Sequence, residues 1–177
     1  MKIETATIRR LSEALLKSGR RSANVHSSAY ETLTRQGLLS AEERAAVARV
    51  DPLGEIMFLM MSADGKLENP ERDAILGAIR GLTGDLLHPG TVNVMIESYD
   101  ESLKREGRDA RLSAVIQEVA DQPAEAEGAF ALAAAIALAD SSVADQEREF
   151  IERLAGKLSI TAERAREILE QLDEDHG

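Results

Sequence analysis

The chain has 177 residues, 30% charged and only 3% aromatic, with no Cys and no Trp, which excludes a disulfide framework or a thiolate metal site and leaves the core to Leu, Ile, Val, Ala and Met. Its formal charge of −11 is unevenly spread, with nine Lys/Arg and five Asp/Glu in residues 1–50 (+4) against 12 and 27 in residues 51–177 (−15). Such an acidic body repels phosphate, which excludes nucleic acid as a partner and leaves cations or basic proteins.

Ile8, Leu11 and Leu15 predict a first helix over about residues 5–18, stopped by Gly19, and a second spans about 23–36 up to Gly37. Ser40 and Glu43 have capping-box spacing and predict a short helix. Asp51-Pro52 reads as an N-cap followed by Pro at the first helical position, so a new helix is expected there. That segment, LGEIMFLMMSA, is apolar nearly all round and should be central, with Met57 to Met61 as core packing. Asn69-Pro70 repeats the start signal for a helix over about 70–80, and further helices follow over about 91–105 and 108–120. Gln122-Pro123 leads into a second apolar helix, EGAFALAAAIALA. Asp145 caps the next, to about residue 157, and Thr161 caps the last, to about 172. The expected fold is an all-α helical bundle of roughly ten helices. No apolar run nears 18 residues and no signal peptide is evident, so a soluble cytoplasmic protein, not an integral membrane one, is expected.

The chain also repeats itself. At an offset of 76, Ala63, Asp64, Leu67, Glu71, Arg72 and Ile75 meet Ala139, Asp140, Val143, Glu147, Arg148 and Ile151. Each set follows an apolar helix, so residues 52–105 and 124–174 read as two copies of one unit. Neither copy can bury a wholly apolar helix alone, so the two apolar helices should pack together about an approximate two-fold axis.

Asp64 and Asp140 follow the C-termini of those helices, where the macrodipole disfavours a carboxylate by roughly 0.3–1 kcal/mol. A rule broken twice at matched positions calls for a compensating positive charge. Glu71 and Glu147 open the next helix, and each can converge with its Asp across the turn. One candidate for that charge is a hard divalent cation, Ca²⁺, Mn²⁺ or Mg²⁺, held by Asp64, Glu71, Asp140 and Glu147. Another is Arg72 and Arg148, pairing with the Asp residues in a metal-independent scaffold. A third reading is that Asp-Gly and Asp-Ser make ordinary turns through an Asx hydrogen bond. DGKLENPE lacks the ligand alternation of an EF-hand, and none of His26, His88 and His176 has the Glu-x-x-His spacing of a di-iron bundle. A metal-dependent hydrolase is the remotest alternative, since no motif marks a substrate pocket.

At SADGKLENPER and DQPAEAEGAFALAAAIALADSSVADQER the sequence resembles the tellurite-resistance TerB-like family, over about residues 52–170. The resemblance implies a TerB-like helical domain over 51–177, preceded by a basic helical extension over 1–50. It places the family's suspected metal acids on Asp64, Glu71, Asp140 and Glu147, and its basic residues on Arg72 and Arg148. It further implies a non-enzymatic module of bacterial responses to tellurite and other chemical stress. Protein partners associated with the membrane are implied too, and hence a cytoplasmic location that extends to the inner membrane surface. The second turn departs from the pattern, with Ser141 where the first has Gly65.

Overall fold

The computed structural model of this chain describes residues 9, 10, 13, 28–139 and 145–176, and among them every regular element is helical. Eight helices follow in order: α1 (Ser28–Gln36), α2 (Ala41–Met61), α3 (Asn69–Leu82), α4 (Pro89–Glu106), α5 (Arg108–Val119), α6 (Pro123–Ala139), α7 (Asp145–Lys157) and α8 (Ala162–His176). The first predicted helix falls largely outside the described residues, although Arg9, Arg10 and Glu13 are helical and exposed. Several start signals act as expected. Ser40 and Glu43 form the reciprocal capping box, at 2.8 and 3.1 Å, and Thr161 accepts from the Arg164 amide at 3.2 Å. Gly37, at φ +66°, ends α1.

One start signal does not act. The helices expected on either side of Asp51-Pro52 are a single helix, α2, with Pro52 inside it. That fusion, with the first helix lying largely outside the described residues, accounts for eight helices among those residues where about ten were expected. An internal proline removes one helical hydrogen bond and costs roughly 3 kcal/mol. Against it stand Ala46, Val47, Val50 and Leu53, all buried on the continuous helix, and each full burial of a Val or Leu is worth about 1.5–3 kcal/mol. Burial wins. Asp51 is also unavailable as a local cap, because its carboxylate is bound to other helices.

α2 is the axis of the fold: every residue from Val50 to Ser62 is buried, Met57, Met60 and Met61 included. It packs against α1, α3, α4, α5, α6 and α7. The second apolar helix, α6, lies against α2 as expected, and also against α5, α7 and α8. No helix among the described residues is long and apolar enough to cross a membrane.

Polar groups inside this core join the helices. Asp51 on α2 is fully buried; its Oδ1 accepts from the Tyr99 hydroxyl of α4 at 2.6 Å and its Oδ2 from the Tyr30 amide of α1 at 3.3 Å. That amide belongs to the first turn of α1, where backbone N–H groups lack helical partners. Asp51 thus caps α1 instead of its own helix. One turn on, Glu55 receives both arms of a bidentate contact from Arg111 of α5, at 2.8 and 2.9 Å, and Arg111 also reaches Glu106 at 3.0 Å.

Candidate functional site at the acidic turns

The first acidic turn forms as α2 runs out. Its last amides bond back to Phe58 and Met60, at 3.0 Å each, and Gly65 closes the turn with a bond to Ser62 at 2.9 Å. Gly65 adopts φ +103°, which side-chain-bearing residues resist. The Asp64 carboxylate accepts from the Lys66 amide at 3.2 Å, the Asx hydrogen bond of the simplest reading. Glu71, half-buried in the first turn of α3, accepts from the Glu68 amide at 2.7 Å. Glu68, not Asn69, is therefore the N-cap of α3.

Glu71 also reports on its neighbours. Burial, and then the charges of Asp64 and Glu147, push its carboxyl above the usual range, against the bond from Glu68. Three of the four expected acids thus share one electrostatic environment, although Glu147 comes from α7, far along the chain. Asp140 and Ser141 lie outside the described residues. Among the described residues, no three His, Asp or Glu side chains form a group that could hold a metal ion.

The positive charge at this helix end comes from a residue that sequence reasoning passed over. Arg108, at the first position of α5, reaches the α2 terminus, donating to the Leu59 carbonyl and, at 2.5 Å, to the Ser62 carbonyl. Desolvation lowers its pKa, with the charge of Arg153 adding to that, and Asp109 and Asp64 oppose the shift. Arg72 is turned elsewhere: it donates to Asn93 of α4 at 3.0 Å, and no ion pair joins it to Asp64 among the described residues. Arg148 lies exposed on α7. A signal for Arg108 was present, because a cation in the first turn of a helix opposes the macrodipole and needs a compensating partner. Arg108→Ala is expected to cost about 1.5–3 kcal/mol, the value of hydrogen bonds from a charged donor, in urea unfolding. Arg108→Lys should recover only part of this, since an ammonium lacks the planar fork. An Ala variant with unchanged stability would show that the contact carries no weight.

Helices α3 to α7 and this turn fall within residues 44–170, which match the family model described as tellurite resistance protein TerB. The chain belongs to the TerB family. The TerB match begins inside α2, ends inside α8 and takes in Asp64, Glu71, Asp140 and Glu147. No curated protein and no solved structure matches this TerB chain.

Proposed function

We propose that this TerB-family protein is a non-enzymatic module of the bacterial response to tellurite or related chemical stress, engaging a hard divalent cation, a protein partner, or both, through its acidic turns. The observation that carries the reading is the raised carboxyl of Glu71, pressed by burial and by Asp64 and Glu147. A carboxyl crowded by the charges of two others gains from a cation. The donors are all oxygen, which suits Ca²⁺, Mn²⁺ or Mg²⁺. The described acids do not make a ligand group by themselves, so the proposed site needs Asp140 as well. Contact between α2 and α6 supports the companion reading of 52–105 and 124–174 as two copies about an approximate two-fold. We place the protein in the cytoplasm, with a partner at the inner membrane surface.

The experiment is a thermal shift series in millimolar Ca²⁺ or Mn²⁺. A cation bound only by the folded protein at 100 times its Kd adds about 2.7 kcal/mol. In a chain this long that raises Tm by roughly 5–10 °C, and Asp64→Asn with Asp140→Asn should abolish the rise. An unchanged Tm at millimolar metal removes the cation from the proposal. The protein then reads as a metal-independent scaffold, which Arg108 favours by already supplying positive charge to the turn.

A further inference from the structure

Asp51 is a fully buried acid that the acidic-turn reading does not use. The hydroxyl of Tyr99 lies 2.6 Å from Asp51 Oδ1 and 3.2 Å from the Asp51 backbone carbonyl oxygen. It has one proton for two acceptors. If Asp51 itself carries a proton, every group is satisfied: Oδ1–H donates to Tyr99 Oη, Tyr99 Oη–H to the Asp51 carbonyl, and the Tyr30 amide to Oδ2. If Asp51 is ionised, the same pocket holds an uncompensated charge. Among the described residues, the groups acting on Asp51 are Tyr30 on α1, Glu55 on α2, Tyr99 on α4 and Glu118 on α5. Both acids are unfavourable to a carboxylate there, and the nearby cation, Arg111 of α5, is engaged by Glu55 and Glu106. The largest influences on Asp51 thus come from α1, α2, α4 and α5, and none of them is a positive charge.

α1 is the shortest of the described helices. It has nine residues and packs on α2 and α4, with Leu33 buried and Tyr30 partly so. A helix that short is marginal alone and depends on its docking. We propose that Asp51 and Tyr99 form a proton-operated latch for α1, which holds α1 on α2 and α4 while Asp51 is neutral and releases it when the proton is lost. The sign follows from burial. Desolvation first, then Glu55 and Glu118, push the Asp51 carboxyl from 3.8 up to about 7, against the bonds from Tyr99 and Tyr30. The docked state therefore binds the proton more tightly than an open state in which Asp51 meets water. Docking is at full strength below about pH 4, weakens as pH rises from there, and levels off above about pH 7. The steep part of this response reaches the neutral range in which cells operate.

The test is amide hydrogen exchange of the full chain, with protection factors corrected for intrinsic exchange, at pH 6 and pH 8. The α1 amides should lose about tenfold in protection between those values, while α6 amides keep theirs. In Asp51→Asn, whose amide donates to Tyr99 and accepts from Tyr30 without charge, α1 protection should not change with pH. Equal pH dependence in the two proteins, or none in the wild type, overturns the latch. Should Asp51→Asn fail to fold, a carbon-13 titration of the wild-type Asp51 carboxyl decides the matter. A midpoint near neutrality that coincides with α1 opening supports the proposal, and a midpoint below pH 5 overturns it.

Discussion

Arg111→Ala should destabilise the protein by about 3–5 kcal/mol, the usual cost of removing one partner from a buried ion pair. Arg111 and Glu55 are both almost wholly out of water, and the guanidinium meets the carboxylate through two bonds, at 2.8 and 2.9 Å. Truncation leaves Glu55 charged and unpaired between α2 and α5, in a pocket that already contains Asp51 and is reached by the charge of Glu118. In a chain of this size the loss lowers Tm by roughly 10 °C. The loss should be largely reversed by a second substitution. In Glu55→Met with Arg111→Met both charges are gone, the volume is nearly kept, and stability should return to within about 1–2 kcal/mol of wild type. Urea unfolding of the single and double variants measures both. If the double variant is no more stable than Arg111→Ala, the pair is not held in a low-dielectric site.

Gly54→Ala should also be costly, although Ala is ordinarily the better helix former by about 1 kcal/mol. A Cβ on Gly54 would lie 2.7 Å from Tyr99 Oη and 3.0 Å from Ile79 Cδ1. Tyr99 cannot swing aside, because it is fully buried, bonded to Asp51 and packed on Phe58 with ring centroids 5.9 Å apart. Overpacking of this kind costs about 1–3 kcal/mol, and disturbing the Asp51–Tyr99 bond adds a further 1–3 kcal/mol. After the propensity gain, the net loss is about 1–5 kcal/mol. Gly54→Ala with Tyr99→Phe separates the two parts, since it removes the clashing oxygen. If Gly54→Ala is neutral or stabilising in thermal unfolding, α4 does not approach α2 as closely as described.

Much of the fold was legible because its signals are local. The capping box at Ser40, the stop at Gly37 and the cap at Thr161 are each decided within a few residues. The two apolar helices declare their central place by having no polar face. Asp51-Pro52 was misread for the opposite reason. As a local signal it starts a helix, but tertiary packing against Tyr30 and Tyr99 outweighs it, and neither tyrosine is near it in sequence. The candidate site was legible in the same uneven way. Asp64, Glu71 and Glu147 could be picked out by repetition alone, and the charges of Asp64 and Glu147 both act on Glu71. Arg108 could not be found that way, because it lies outside the repeated letters and acts across 46 residues of chain. Pairwise long-range contacts leave no periodic trace, so repetition and spacing are silent about them.

The change of charge sign between residues 50 and 51 falls in the middle of α2, a single rod of 21 residues and about 31 Å. The electrical seam of the chain and its mechanical seam do not coincide. A fragment cut where the charge changes would lose half the central rod, along with Ala46, Val47 and Val50 from the core. The basic part is spliced into the acidic body by continuous backbone, so Ser40 at one end and the acidic turn at the other keep a fixed separation and move as one piece.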